Sequence, residues 1–283
     1  MSTQPKFAEL NELAPNIPIA LEAGVLLALG SHPGESIAFF AEHLALALLE
    51  RKQPEDRVLL LDLATPAGAG TIFLNLNQTY CVLDALRDGA RCDRTLIETR
   101  FSRHSKGLYV LGLPEDLVGR PSYDDEMVRE LLGTLREHFR WIVVAADGQM
   151  SLPLLVTLVE RSERALLLTD QSILKSRQNK YLLRALRQLD CPTERLALVV
   201  DNYRRRLGLE PGNLAELYQL PLAAVLQTES YNRIISMNSG EPLFVLAPKD
   251  PYCIGVRDLA HALLSGEMKT AAQAGGLISR WFS

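Results

Sequence analysis

Several features that would assign a chain to a special environment are scarce or missing here. There are four cysteines, Cys81, Cys92, Cys191 and Cys253, and no C-x-x-C pair. In 283 residues that argues against a disulfide-framed secreted domain and for reduced, buried thiols in a cytoplasmic protein. The five histidines are scattered, without H-E-x-x-H or a similar spacing, so no transition-metal site is expected. Positive charge is not in excess: 30 Lys and Arg stand against 34 Asp and Glu, for a net charge of -4. That excludes the basic balance of a dedicated nucleic-acid binder. Long hydrophobic runs are missing as well. The stretch "IPIALEAGVLLALG" carries Glu22 and is too short to cross a bilayer. The opening "MSTQPKFAELNELAPNIP" has no basic region followed by an apolar core, so no secretory signal is expected.

What is present is an alternation of two patterns. Short apolar runs, "GVLLALG" (24–30), "RVLLLDL" (57–63), "GLYVLG" (107–112), "RWIVVAA" (140–146), "RALLLT" (164–169), "RLALVV" (195–200) and "LAAVL" (222–226), predict strands. Most are apolar throughout, as strands buried on both faces of a parallel sheet are. Between them lie segments of helical period. "SIAFFAEHLALALLERK" (36–52) puts Ile37, Phe40, Ala41, Leu44 and Leu48 on one side. "DDEMVRELLGTLREHF" (124–139) opens with acids, and "SRQNKYLLRALRQL" (176–189) closes with basic and amide residues; the acids suit a helix start and the basic residues a helix end. The alternation predicts a doubly wound α/β fold, with a mostly parallel sheet flanked by helices. There is no internal repeat and no low-complexity linker. One domain is expected over 21–265, with an N-terminal arm (1–20) and a C-terminal tail (266–283).

The stretch that bears on chemistry is "GSHPGES" (30–36). A strand, a glycine-containing loop and a helix in this order outline a phosphate-binding loop. In such loops backbone N–H groups wrap the phosphates, a lysine neutralises them, and a Ser or Thr hydroxyl holds Mg²⁺. Gly34 and Ser36 fit that outline. Glu35 stands where the lysine belongs, and Pro33 removes a backbone donor. A charge-assisted hydrogen bond is worth roughly 1.5–3 kcal/mol. Losing it and adding a repulsive carboxylate costs at least about 3 kcal/mol, roughly two decades of affinity. On these residues alone a plain strand–loop–helix joint without a ligand stays open.

A wider set of segments extends the comparison. "RVLLLDLATPAGAGTIFLNLNQTYCVLDAL" (57–86), "GLYVLGLPEDL" (107–117), "TDQSILKSRQNKYLLRALRQL" (169–189), "LALVVDNYRRRLGL" (196–209) and "LPLAAVLQTESYNRIISMNSGEPLFVLAPKDP" (220–251) follow one another. In order and spacing the set resembles the CpaE/TadZ family, ParA/MinD-like proteins that help assemble type IVb (Flp, or tight-adherence) pili. The resemblance covers roughly residues 24–265.

It implies a role for each matching position. The family's two loop lysines correspond to Gly30 and Glu35, so both are lost. Of the D-x-D motif, Asp62 remains and Ala64 replaces the water-orienting carboxylate. The Walker B acid belongs near Ala145 or Ala146, and the nearest acid is Asp147. Asn202 matches the adenine-contacting Asn. If nucleotide is retained, Gly34, Ser36, Asp62 and Asn202 would bind it, as ATP or ADP with Mg. Plainer roles stay open: Asp62 as a loop cap, Asp147 as a turn residue beside Gly148, and Asn202 as a loop amide. Arg204, Arg205 and Arg206 form a solvated loop or a patch for a partner or nucleic acid. Because several catalytic parts are missing together, the expectation is a pseudo-ATPase with no catalytic residues. Many members carry an N-terminal receiver-like domain; with about 20 residues before its first strand, this chain is not expected to have one.

The ending "GGLISRWFS" places Leu277, Ile278, Trp281 and Phe282 on one helical face. Such a short segment is unstable as a helix in water but could anchor at a bilayer surface or pack on a partner. The resemblance further implies a homodimer. Its expected partners are the pilus secretion ATPase and inner-membrane assembly proteins, with no specific nucleic acid, and its expected place is the cytoplasm, peripheral to the inner membrane or at the pole. The alternative from the same superfamily is an active ParA/MinD-type ATPase in positioning, flagellar-number control or partitioning.

Overall fold

The computed structural model describes residues 20–117, 124–227 and 230–266. Eight strands form one sheet: β1 (Gly24–Gly30), β2 (Val58–Asp62), β3 (Ser102–Arg103), β4 (Tyr109–Gly112), β5 (Trp141–Asp147), β6 (Arg164–Thr169), β7 (Leu196–Val200) and β8 (Leu222–Val225). Their order across the sheet is β3-β4-β2-β5-β1-β6-β7-β8. All neighbours are parallel except the short edge pair β3 and β4. The expected doubly wound sheet is therefore present. β3, with two residues, carries too little sequence to have been visible as a run.

Eleven α-helices accompany the sheet among the described residues: α1 (Glu35–Leu49), α2 (Ala69–Ile72), α3 (Val82–Asp88), α4 (Arg94–Arg100), α5 (Asp125–Arg136), α6 (Leu152–Arg161), α7 (Ile173–Gln188), α8 (Pro211–Tyr218), α9 (Ser230–Ser239), α10 (Leu243–Leu246) and α11 (Pro251–Ser265). Several start on side-chain caps. Asp124, Ser151, Ser172 and Asp250 accept from the N–H groups of Met127, Leu154, Lys175 and Tyr252. Each cap satisfies a donor that the first turn leaves without an intrahelical partner.

The alternation of side chains along each strand sorts the core into two layers. In β1, Val25, Leu27 and Leu29 face a core shared with α5, α6, α7 and α8. Leu26 and Ala28 face the other core, built mainly from α1 and α11. Helix α1 departs from its amphipathic reading, since Ile37 through Leu49 are all buried, Glu42 and His43 included. The sheet covers one side of it, and Tyr252, Val256 and Leu259 of α11 belong to the core on that same face. The His43 ring is neutral and acts as a strut. Its Nδ1 donates to Phe39 O at 2.8 Å, and its Nε2 accepts the Leu243 N–H at 3.1 Å. Burial pushes its pKa down to about 3. All four cysteines are free thiols; Cys81 is half-buried and the others are buried.

No helix of the described residues is long and apolar enough to cross a membrane. Among those residues no cluster of His, Cys, Asp or Glu could hold a metal ion. The arm up to residue 19 and the tail from 267, with Leu277, Ile278, Trp281 and Phe282, lie outside the described residues.

Candidate functional site

The loop 31–34 leaves the C-terminal end of β1, the central strand. From β1 the chain passes through α1 to β2 on one side, whereas from β5 it passes through α6 to β6 on the other. Such a switch point opens a crevice beyond the strand ends, where doubly wound proteins bind ligands.

Two neighbours fix the loop by its backbone. The Gly148 N–H donates to Gly30 O at 2.8 Å. A side chain at Gly148 would put its Cβ 2.3 Å from Ser31 O, so only glycine lets the end of β5 approach so closely. On the other flank the Gly34 N–H donates to Thr65 O at 2.8 Å. That donor is therefore occupied by the segment after β2. Pro33 has no N–H. Glu35, exposed, opens α1. Its carboxylate brings negative charge to the positive end of the helix dipole, where a bound phosphate would otherwise do so. Ser36 follows, half-buried. Ser31 Oγ and His32 Nδ1 are buried atoms without a hydrogen-bond partner.

Two carboxylates lie under the loop. Asp147 ends β5 opposite Gly30. Its Oδ2 accepts from both the N–H and the hydroxyl of Thr65 at 2.6 Å, and its Oδ1 accepts from Gln149 N–H at 2.7 Å. Asp62 ends β2 opposite Ala145. It accepts from the N–H groups of Ala64 at 3.1 Å and Gly70 at 2.8 Å. Burial raises its pKa to about 6; the two N–H groups oppose the shift and the Asp147 charge adds to it. Both acids are thus closely engaged in holding the loops after β2 and β5.

A second polar cluster is buried beside α1. Asp201, next after β7, accepts two hydrogen bonds from Arg233 Nη1 of α9, at 3.1 and 2.9 Å. The guanidinium carbon lies 4.4 Å from the Phe39 ring centroid and 5.7 Å from that of Tyr252. Burial works against the charge on Arg233; the Asp201 carboxylate outweighs it and keeps the guanidinium protonated. Arg233 Nη2, the Tyr252 hydroxyl and both Glu42 oxygens are buried without partners. Burial, with the Asp62 charge added, lifts the Glu42 carboxyl well above the usual range.

No protein-family model and no curated protein matches the sequence. Solved structures do match. A ParA family ATPase from Chlorobium tepidum aligns with 86% of this chain and 99% of its own, at a TM-score of 0.73 and 18% identity. MinD in the MinC:MinD complex of Aquifex aeolicus gives 0.69 over 86% and 96%, also at 18% identity. The chain has the ParA/MinD fold. A plasmid partition protein of Borrelia burgdorferi bound to AMPPNP extends the likeness, at 0.63 over 86% and 98% with 15% identity. At such identities the likeness concerns the fold alone.

Within the ParA/MinD fold, Gly30, Gly34, Glu35, Ser36, Asp62 and Ala64 all lie at the C-terminal ends of β1 and β2 or in the segments that follow, which the Gly34–Thr65 hydrogen bond ties together. Asn202 stands apart. It is exposed, at a φ of 51°, two residues beyond the end of β7. Asp201, directly before it, is the buried residue, and its carboxylate is held by Arg233. Arg204, Arg205 and Arg206 are exposed in the following loop. Sequence reasoning missed Asp201, Arg233 and Glu42. A carboxylate directly after the apolar run of β7, and another inside the apolar run of α1, were the available signals.

Proposed function

We propose that this chain is a nucleotide-degenerate scaffold of the CpaE/TadZ kind, which localises or organises assembly of a type IVb pilus or a related secretion machine. The loop carries the non-catalytic part. Neither Lys nor Arg stands between Gly30 and Ser36, Pro33 has no donor, the Gly34 N–H is bound to Thr65, and Glu35 opposes phosphate. Phosphoryl transfer relies on charge stabilisation of the transferred group, and this loop offers the opposite sign. The ordered set of family-like segments supports the pilus role.

The scaffold acts as a homodimer through the C-terminal ends of the strands. Ile72, Leu152, Ile173, Leu174, Leu207, Tyr231 and Ile234 are exposed, all in the segments that follow β2, β5, β6, β7 and β8. So many exposed apolar side chains around one end of a sheet mark an interaction surface. The secretion ATPase and inner-membrane assembly proteins are the partners, and Leu277, Ile278, Trp281 and Phe282 are the residues for membrane or partner contact.

Calorimetry of ATP and ADP with Mg²⁺, on the protein and on Glu35→Lys, tests the loop. The native protein should give no binding heat, and micromolar binding by it would overturn the reading. Deletion of the gene should abolish piliation; normal pili would exclude the pilus role. An active ATPase is the second reading. It is favoured by two carboxylates, Asp62 and Asp147, kept at the strand ends under the loop. MinD of Pyrococcus horikoshii, of like fold, is described as complexed with Mg-ADP. This reading requires ATP turnover that falls on Ser36→Ala or Asp62→Ala.

A further inference from the structure

Helix α7 carries Lys175, Arg177, Lys180, Arg184 and Arg187 and not one carboxylate in its 16 residues, in a chain of net charge -4. Lys175 pairs with Asp170, and Arg187 Nη2 donates to Tyr218 O at 2.8 Å. Lys180 and Arg184 form no ion pair with another described residue. Between this part of α7 and the C-terminal end of α8 runs a groove of about 500 Å³, lined among others by Lys180, Tyr181, Arg184, Arg187, Leu217 and Gln219. No carboxylate lines it. Two of its apolar members are open, Tyr181 at 66% exposure and Leu217 at 39%, while Leu183 and Tyr218 form its buried floor.

We propose that this groove docks an acidic segment of a partner protein, with carboxylates on Lys180, Arg184 and Arg187 and a large apolar side chain against Tyr181 and Leu217. Three cations around a recess repel one another until an anion arrives, so charge complementarity selects an acidic occupant and speeds its encounter. An aromatic and an aliphatic wall give that occupant an anchor, as the central residues of an interface do. A second copy of the chain meeting the groove face to face would set like charge on like charge, because such a contact is the same patch on both sides. A continuous polyanion suits the surface less well. Glu216 and Asp190 are exposed within two residues of the lining and would meet its phosphates, and the apolar walls serve no phosphate. The surface is independent of the crevice beyond the strand ends and of nucleotide.

The test is fluorescence anisotropy of a short labelled peptide of Glu-Glu-Leu repeats, titrated with the full chain. Binding should be salt-sensitive. It should weaken about tenfold or more in Lys180→Glu/Arg184→Glu, and about fivefold in Tyr181→Ala. All three positions are exposed, and unchanged melting temperatures will show that the variants fold. No binding, or binding indifferent to these variants, overturns the proposal. So does tighter binding of duplex DNA or of phosphatidylglycerol vesicles that the same charge reversals abolish, which would make the groove a nucleic-acid or membrane site.

Discussion

Removing the charge of Arg233 is the most informative single perturbation of this fold. In Arg233→Met the methionine keeps much of the aliphatic stem but leaves the Asp201 carboxylate buried with no cation. Both oxygens of Asp201 now receive Nη1, at 3.1 and 2.9 Å. Breaking one partner of a buried pair costs about 3–5 kcal/mol, because the remaining charge keeps its desolvation penalty. Stacking on Phe39 at 4.4 Å is lost as well, which is worth about 2 kcal/mol for a desolvated cation over a ring. A melting temperature lower by roughly 10–20 °C should follow in a chain of this length. The decisive comparison is the double variant Asp201→Leu/Arg233→Met. It removes both charges and should recover to within about 2 kcal/mol of the native protein, since apolar replacement of a whole buried pair is often neutral or better. Urea denaturation of the four proteins, at unchanged m-value, measures the cycle. A single variant costing under about 1 kcal/mol, or a double variant no better than the single, would refute the claim that this pair holds β7 to α9.

Two buried groups should give opposite pH slopes. Asp62 has its pKa raised from 3.8 to about 6, so the folded state holds the proton more tightly than the unfolded chain. Stability is then lost as pH rises through that window, by about 3 kcal/mol, and Asp62→Asn should flatten this slope in denaturation curves taken at several pH values. His43, lowered from 6.5 to about 3, behaves in the reverse sense. The unfolded chain takes up the proton first, so stability falls as pH drops below 6.5, by about 4–5 kcal/mol at the acid end. His43→Leu should cost about 1–3 kcal/mol at neutral pH, through the unpaired Leu243 N–H, while removing that acid sensitivity. Gly148→Ala should destabilise by about 1–3 kcal/mol, because its methyl meets a backbone oxygen that cannot move aside cheaply. Calorimetric melting checks it, and a neutral outcome would mean that the loop 31–34 is not clamped as described. Ile173→Glu/Ile234→Glu should turn a dimer into a monomer by light scattering, and an unchanged mass would remove the strand-end dimer.

The layout of strands was legible because a strand buried on both faces must be apolar throughout. "RALLLT" coincides with β6 and "GVLLALG" with β1. The glycine loop before a helix was legible for a similar reason, since its position depends on local order along the chain. Glu35, Pro33 and the missing lysines are facts of composition that no folding alters. The all-round burial of α1 was not legible, because the second cover comes from α11, some two hundred residues later. The His43 strut depends on Leu243, and the Asp201 pair on Arg233. Asn202 and Asp201 are adjacent and both polar, and only the end of β7 decides which is buried. The cations of α7 were in the sequence, but their recess required α8 beside them. The sequence by itself determined which residues want to be inside and which charges the loop lacks, because hydrophobicity and charge belong to each residue alone. The tertiary structure decided which polar groups meet, because a buried hydrogen bond or ion pair depends on partners that distant elements bring within about 3 Å.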